Sequence, residues 1–170
     1  MLRASYEGTW TKLRVFEVLD FDIVCFLDAD MVMRSNMDAV FSAIDDLPQN
    51  NMAASYDCTC NIEKAAWAPE QWCKETCAFT PLAHPDALSQ PIQPTEDSPD
   101  THHVLNSGMF FFRPSESLRD RLLKYFRTTD ELSSFKKPDE DFLSQSLDQS
   151  AVAVQCETAD EIYSRQDLAR

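Results

Sequence analysis

Apolar positions along the chain follow two alternating rhythms. Residues 9 to 20, TWTKLRVFEVLD, bring Trp10, Leu13, Phe16 and Leu19 round at helical spacing, which predicts a helix with Thr9 as its N-cap. After Asp22 comes IVCFLDADMVM, an unbroken apolar run that closes on two carboxylates, the pattern of a buried central strand. Ser35 and Asn36 offer caps for a second helix that reaches about Asp46 and is ended by Pro48. MAAS at 52 to 55 predicts a short strand and GMFFFR at 108 to 113 a buried one. Pro114 and Ser115 then launch a helix in which Leu118, Leu122 and Phe126 share one face. Beyond Pro138, DEDFLSQSL predicts a helix capped by Asp139, and AVAV at 151 to 154 a last strand. Strands alternating with helices predict an α/β fold: a mixed, mainly parallel sheet with helices on both faces.

Residues 57 to 103 break the rhythm. Six prolines (Pro69, Pro81, Pro85, Pro91, Pro94, Pro99) fall in a stretch without glycine or clear periodicity, which predicts a Cys- and Pro-rich insertion. Cys58, Cys60, Cys73 and Cys77 lie inside it. Four thiolates can hold a structural zinc ion, although Cys-x-Cys followed by Cys-x-x-x-Cys is not a standard finger spacing. Reduced thiols are the first expectation and a zinc or disulfide staple the second. Cys25 reads as a small core residue of its strand, and Cys156 carries no signal.

Charge narrows the function. A formal net charge of -14, with the fifteen Lys and Arg dispersed, opposes binding to nucleic acid or anionic membranes. A protein this acidic that handles an anionic substrate needs a local cation, and a metal ion is the usual device. Gly8 and Gly108 are the only glycines, so neither a Gly-x-Gly-x-x-Gly loop nor a Walker-type phosphate loop can be written. No stretch approaches the twenty apolar residues of a membrane span, and a cytoplasmic protein is expected.

The acidic pair supplies the candidate cation site. Asp28 and Asp30 close the apolar strand, and its period of two lets both carboxylates point to the same side, about 6.6 Å apart along the backbone. Hard oxygen ligands with open positions suit Mn²⁺ or Mg²⁺ shared with a diphosphate. A metal so placed neutralises the charge that develops on a departing nucleoside diphosphate. An isolated Asp-x-Asp is equally a pair of turn or capping residues, so its surroundings decide.

Those surroundings resemble a known family. TKLRVFEVLDFDIVCFLDADMVMRSNMDAVF, residues 11 to 41, is similar to the corresponding part of glycosyltransferase family 8, which includes glycogenins and galactinol synthases. Two later segments keep the family's order: LNSGMFFFRPS at 105 to 115 resembles its Asn-Ser-Gly strand, and PDEDFL at 138 to 143 its Asp-Gln-Asp segment, with Glu140 in place of Gln. The resemblance implies a GT-A type, Rossmann-like nucleotide-diphospho-sugar transferase fold. It implies a retaining enzyme that moves a hexose from a UDP-sugar to an acceptor with Mn²⁺ or Mg²⁺. On this chain it makes Asp28 and Asp30 metal ligands and Lys12 a donor contact. Asn106, Ser107 and Gly108 border the donor sugar, and Asp139 and Glu140 lie near the reacting carbon.

Two parts of the family pattern have no counterpart here. The family carries an earlier β-α-β portion for the base and ribose, and a later His-containing segment that supplies a third metal ligand. His84, His102 and His103 all precede Asn106. The expectation is a single truncated domain over residues 1 to 170 with impaired activity. The alternative from another class is a non-catalytic remnant or Cys-rich binding or scaffold protein. Expected partners are a UDP-sugar and an unspecified acceptor, with no nucleic acid and no membrane span; a homo-oligomer is allowed.

Overall fold

The computed structural model describes residues 8–33, 36–80, 94–147, 151–153 and 162–164. The first helical stretch is a 3-10 helix, Thr9–Glu17, with Gly8 at the cap position and no side-chain cap, so Thr9 lies inside it. The apolar run that follows is not one strand. β1, Val24–Leu27, ends where Asp28 begins, the Asp28 carbonyl accepts from the Met31 amide at 3.0 Å, and β2, Met31–Met33, resumes beyond the turn. The acidic pair therefore straddles a turn, and the period of two does not apply across it.

α1 covers Asp38–Ala43, shorter than the pattern predicted, with the Asp38 amide donating to Asn36 Oδ1 at 2.9 Å; Ser35 lies outside the described residues. β3, Met52–Tyr56, matches its predicted strand, and β4, Leu105–Phe112, begins three residues before the predicted one. α2, Glu116–Thr128, starts as expected, with Ser115 Oγ accepting from the Leu118 amide at 3.1 Å. α3, Pro138–Leu147, begins one residue early. Its start is capped from inside by Asp141, whose Oδ2 accepts from the amides of Lys136 (2.7 Å) and Lys137 (3.1 Å). Asp139 is thereby released from the capping role that the sequence predicts. β5, Ala151–Ala153, and β6, Ile162–Ser164, complete the described elements; Val154 and Cys156 are outside them.

The main sheet has the order β1-β4-β3-β5. β4 runs antiparallel to both β1 and β3, and only β3 and β5 pair in parallel. The sheet is mixed but not mainly parallel, which corrects the expectation. An apolar run satisfies either ladder, and the direction of β4 comes from the chain that enters it, not from its own pattern. β1 is also not central: it lies at an edge of this sheet, and all four of its residues are only half-buried. A second sheet pairs β2 antiparallel with β6.

Both faces of the main sheet are covered, as expected. Phe110 and Phe112 of β4 pack with Phe16, Leu118, Leu122, Phe142 and Leu143 on one side, and Phe111 packs with Val40, Ile44 and Leu47 on the other. The alternation of three consecutive phenylalanines joins the two layers through one strand. Burying each ring contributes about 2–3 kcal/mol.

Candidate functional site

The carboxyl ends of β1 and β3, the amino end of the antiparallel β4 and the first turn of α3 meet at one edge of the sheet, and two polar networks form there side by side. The first is centred on Lys12. Its ammonium donates to Asp28 (3.0 and 3.2 Å to the two oxygens), to Ser107 Oγ and the Ser107 carbonyl (both 3.1 Å), and to Asp139 Oδ2 (2.5 Å). Ser107 Oγ donates to the same Asp139 oxygen at 2.6 Å. The ammonium also stands 5.2 Å from the centre of the Phe26 ring, whose π face favours a cation. Burial works to raise the Asp139 carboxyl, yet the Lys12 ammonium and the Ser107 hydroxyl outweigh it and hold the group below the ordinary aspartate range.

The second network is centred on Lys137, which pairs with Asp57 and, at 2.8 Å, with Glu140. Asn106 Nδ2 donates to Asp57 Oδ1 at 3.2 Å, while Asn106 Oδ1 accepts from the Gly108 amide at 3.0 Å. Trp72 lies under the lysine, its ring centre 5.2 Å from Nζ. Burial opposes the Lys137 charge, but Glu140 and Asp57 together raise its pKa above the ordinary lysine range. Burial, with the Asp57 carboxylate beside it, pushes Glu140 up to about 7 despite Lys137.

Gly108 seams the two networks to the acidic turn. Its carbonyl accepts from the Asp28 amide at 2.8 Å, and a Cβ there would stand 2.6 Å from Met31 Cε and 3.0 Å from Asn106 Oδ1. No larger side chain fits without displacing one of these groups.

No protein-family model matches the chain. It is 30% identical over 130 residues to galactinol synthase 2 of Solanum lycopersicum, a match that covers 74% of this chain and 33% of that protein. The chain is homologous to the galactinol synthases of glycosyltransferase family 8. Galactinol synthase 1 of the same plant is 28% identical over 127 residues, covering 75% and 32% of the two chains. The chain spans about a third of the length of the curated relatives it matches. Its fold is shared with the glycosyltransferase GlyE of Streptococcus pneumoniae TIGR4, at a TM-score of 0.53 and 13% identity, over 94% of this chain and 31% of that one.

Lys12, Asp28, Ser107 and Asp139 come together, drawn from four segments, with Gly108 against Asp28. Asn106 and Glu140 enter the adjoining network. Asp30 is exposed on the turn beside Asp28. His102 and His103 belong to the approach to β4, His102 closing the 3-10 helix Asp100–His102; His84 lies outside the described residues.

Sequence reasoning missed Asp57 and Lys137. Asp57 had a readable signal, because an apolar strand that ends in a carboxylate is repeated at Leu27-Asp28 and Tyr56-Asp57. Lys137 had none beyond standing before Pro138. Among the described residues of the 57–103 segment, Thr59, Trp72, Cys77, Ala78 and Thr101 are buried, and Thr101 Oγ1 donates to the Thr76 carbonyl at 2.7 Å. No helix among the described residues is long and apolar enough to cross a membrane.

Proposed function

We propose that this chain carries the sugar-transfer end of a retaining hexosyltransferase that takes a hexose from a UDP-sugar. The observation that carries the reading is the convergence of Lys12, Asp28, Ser107 and Asp139 at the carboxyl end of β1, where ligands of open α/β sheets settle. Transfer breaks the bond between the anomeric carbon and the diphosphate and forms one to an acceptor hydroxyl, so positive charge grows on the sugar ring as negative charge grows on the phosphate. Asp139, kept ionised by Lys12 and Ser107, faces the first of these charges as an electrostatic partner.

Asp28 and Asp30 would hold a Mn²⁺ or Mg²⁺ ion. The donor set fits, since both are hard carboxylates on one turn, Asp30 is exposed, and the Asp28 side chain retains 36% exposure beside Lys12. Such an ion supplies Lewis-acid neutralisation of the diphosphate. Lys12, already within reach of Asp28, offers the protein's own positive charge on that side. Asn106, Ser107 and Gly108 form the rim against which the sugar would rest.

Glu140 stands where the family's motif has Gln. With its carboxyl pushed up to about 7, it holds a proton in part of the molecules at neutral pH and in most of them below, and in that form it can donate a hydrogen bond to a sugar oxygen as an amide would. The departure from the motif is then chemically small.

Because the chain spans about a third of its relatives' length, ligand binding is the appropriate test. Calorimetric titration with UDP in the presence of Mn²⁺ should show binding that disappears without the ion and in Asp28→Asn. Equal UDP affinity with and without Mn²⁺, in a folded protein, would sink the reading. The second reading, a Cys-rich binding or scaffold protein, is favoured by the gathering of Cys58, Cys60 and Cys77.

A further inference from the structure

Three thiols converge in a part of the molecule that neither polar network uses. The ligand atoms of Cys58, Cys60 and Cys77 all lie within 4.8 Å of one another, and the Cys58 and Cys77 sulfurs are 3.9 Å apart. Tetrahedral zinc with Zn–S bonds of about 2.3 Å requires sulfur pairs about 3.8 Å apart, whereas a disulfide brings them to about 2.0 Å. The spacing is that of sulfurs facing a shared centre. Pairing two of them as a disulfide would leave the third, while a metal ion uses all three.

Two of the three thiols are shielded from water: Cys60 and Cys77 are buried. Thr59, fully buried between Cys58 and Cys60 in the chain, has a hydroxyl without a geometrically sound hydrogen-bond partner.

The segment also needs a staple. Among its described residues, 57–80 holds no helix and no strand, yet Thr59, Cys77 and Ala78 are almost wholly excluded from water. Loop-rich units with little apolar material are commonly held by metal or disulfide cross-links.

We propose that Cys58, Cys60 and Cys77 bind one structural zinc ion that fastens residues 57–80 to the end of β3. This corrects the four-cysteine set read from the sequence: Cys73 stands apart, its sulfur 3.3 Å from Thr76 Oγ1. On binding, each sulfur not yet ionised releases its proton to solvent, no sulfur changes oxidation state, and the three-thiolate zinc unit carries one net negative charge. A further donor, protein or water, completes the tetrahedron. Asp57 directly precedes Cys58, so the ion fixes the backbone that aims the Asp57 carboxylate at Asn106 and Lys137.

The experiment uses the full chain, purified without chelator, with zinc counted by inductively coupled plasma mass spectrometry. One zinc per chain is expected, falling at least tenfold in Cys60→Ser and Cys77→Ser. Cys25→Ala should keep it, because the Cys25 thiol is held up at about 11 by burial in β1, away from the cluster. Replacement of zinc by Co²⁺ in the unmutated protein should give sulfur-to-cobalt charge-transfer absorption, a readout independent of whether the serine variants fold. Absence of that absorption on titrating the reduced, folded protein with Co²⁺ overturns the proposal. So does a Cys58–Cys77 disulfide in metal-free protein trapped by alkylation at isolation.

Discussion

The two lysine-centred networks have the same composition and behave in opposite ways. Each places one ammonium between two carboxylates: Lys12 between Asp28 and Asp139, Lys137 between Asp57 and Glu140. Asp139 and Glu140 are neighbours on the first turn of α3 and are similarly hidden, at 14% and 12% side-chain exposure. Asp139 is nevertheless held ionised, while Glu140 is pushed toward neutrality. Side-chain exposure alone therefore does not separate them. Asp139 receives two charge-stabilising donors, Lys12 and the Ser107 hydroxyl, and its rival Asp28 is the more exposed partner at 36%. Glu140 shares its single lysine with Asp57, a rival only 9% exposed, and has no hydroxyl of its own. Identical charge counts give opposite protonation because donors are counted per carboxylate, not per network.

Removing each lysine should break this symmetry most visibly. Lys12→Met takes the cation from both Asp28 and Asp139, whose ordinary carboxylate range lies far below neutrality, and should cost about 3 kcal/mol in urea unfolding near pH 7. Lys137→Met should cost less, about 1 kcal/mol at pH 6, because Glu140 can take up a proton instead. Equal losses for the two variants at pH 6 would show that the networks do not differ as described.

The next largest effect is on pH dependence. The Glu140 pKa in the fold, about 7, exceeds the ordinary 4.5, so the folded state binds this proton more tightly than the unfolded chain does. The stability this confers is complete below the ordinary value and is lost as pH rises through about 7. The unfolding free energy should therefore fall across that window by about 3 kcal/mol in the unmutated protein, and this fall should be absent in Glu140→Gln. The same substitution should preserve or strengthen any UDP-sugar binding or transfer; a large loss would mean the acid itself is required.

Ser107→Ala should have the smallest effect, about 1 kcal/mol, since Lys12 still holds Asp139. Its sharper signature is in acid. The Asp139 pKa lies below its ordinary value, so its stabilisation is present above that value and lost as pH falls through the folded one. Without the serine donor this acid-side loss should begin at higher pH, readable as a shift of the carboxyl resonance in an NMR titration.

Much of this was legible from residue order and spacing. The periods of the apolar residues located β3, β4 and α2, and the resemblance of the LDAD, LNSG and PDED segments, in that order, to glycosyltransferase family 8 pointed to one site. Where the turn at Asp28 fell was not legible, because an apolar run on both sides of the pair reads as continuous strand whether or not the backbone bends. The thiols were noticed as four from their spacing in the chain, and only three meet in space.

Taken alone, the sequence determined the alternation of elements, the buried phenylalanine strand and the exclusion of glycine-rich phosphate loops. Those are properties of short windows, governed by side-chain period and turn chemistry. Tertiary structure decided that β4 runs against its neighbours and that Lys12 reaches Asp139, 127 residues away. It also decided that Asp57 and Lys137 join the site and that Glu140 and Asp139 differ in proton affinity. The physical reason is that strand direction and carboxylate ionisation depend on which groups packing brings within a few ångströms, and no local pattern encodes that neighbourhood.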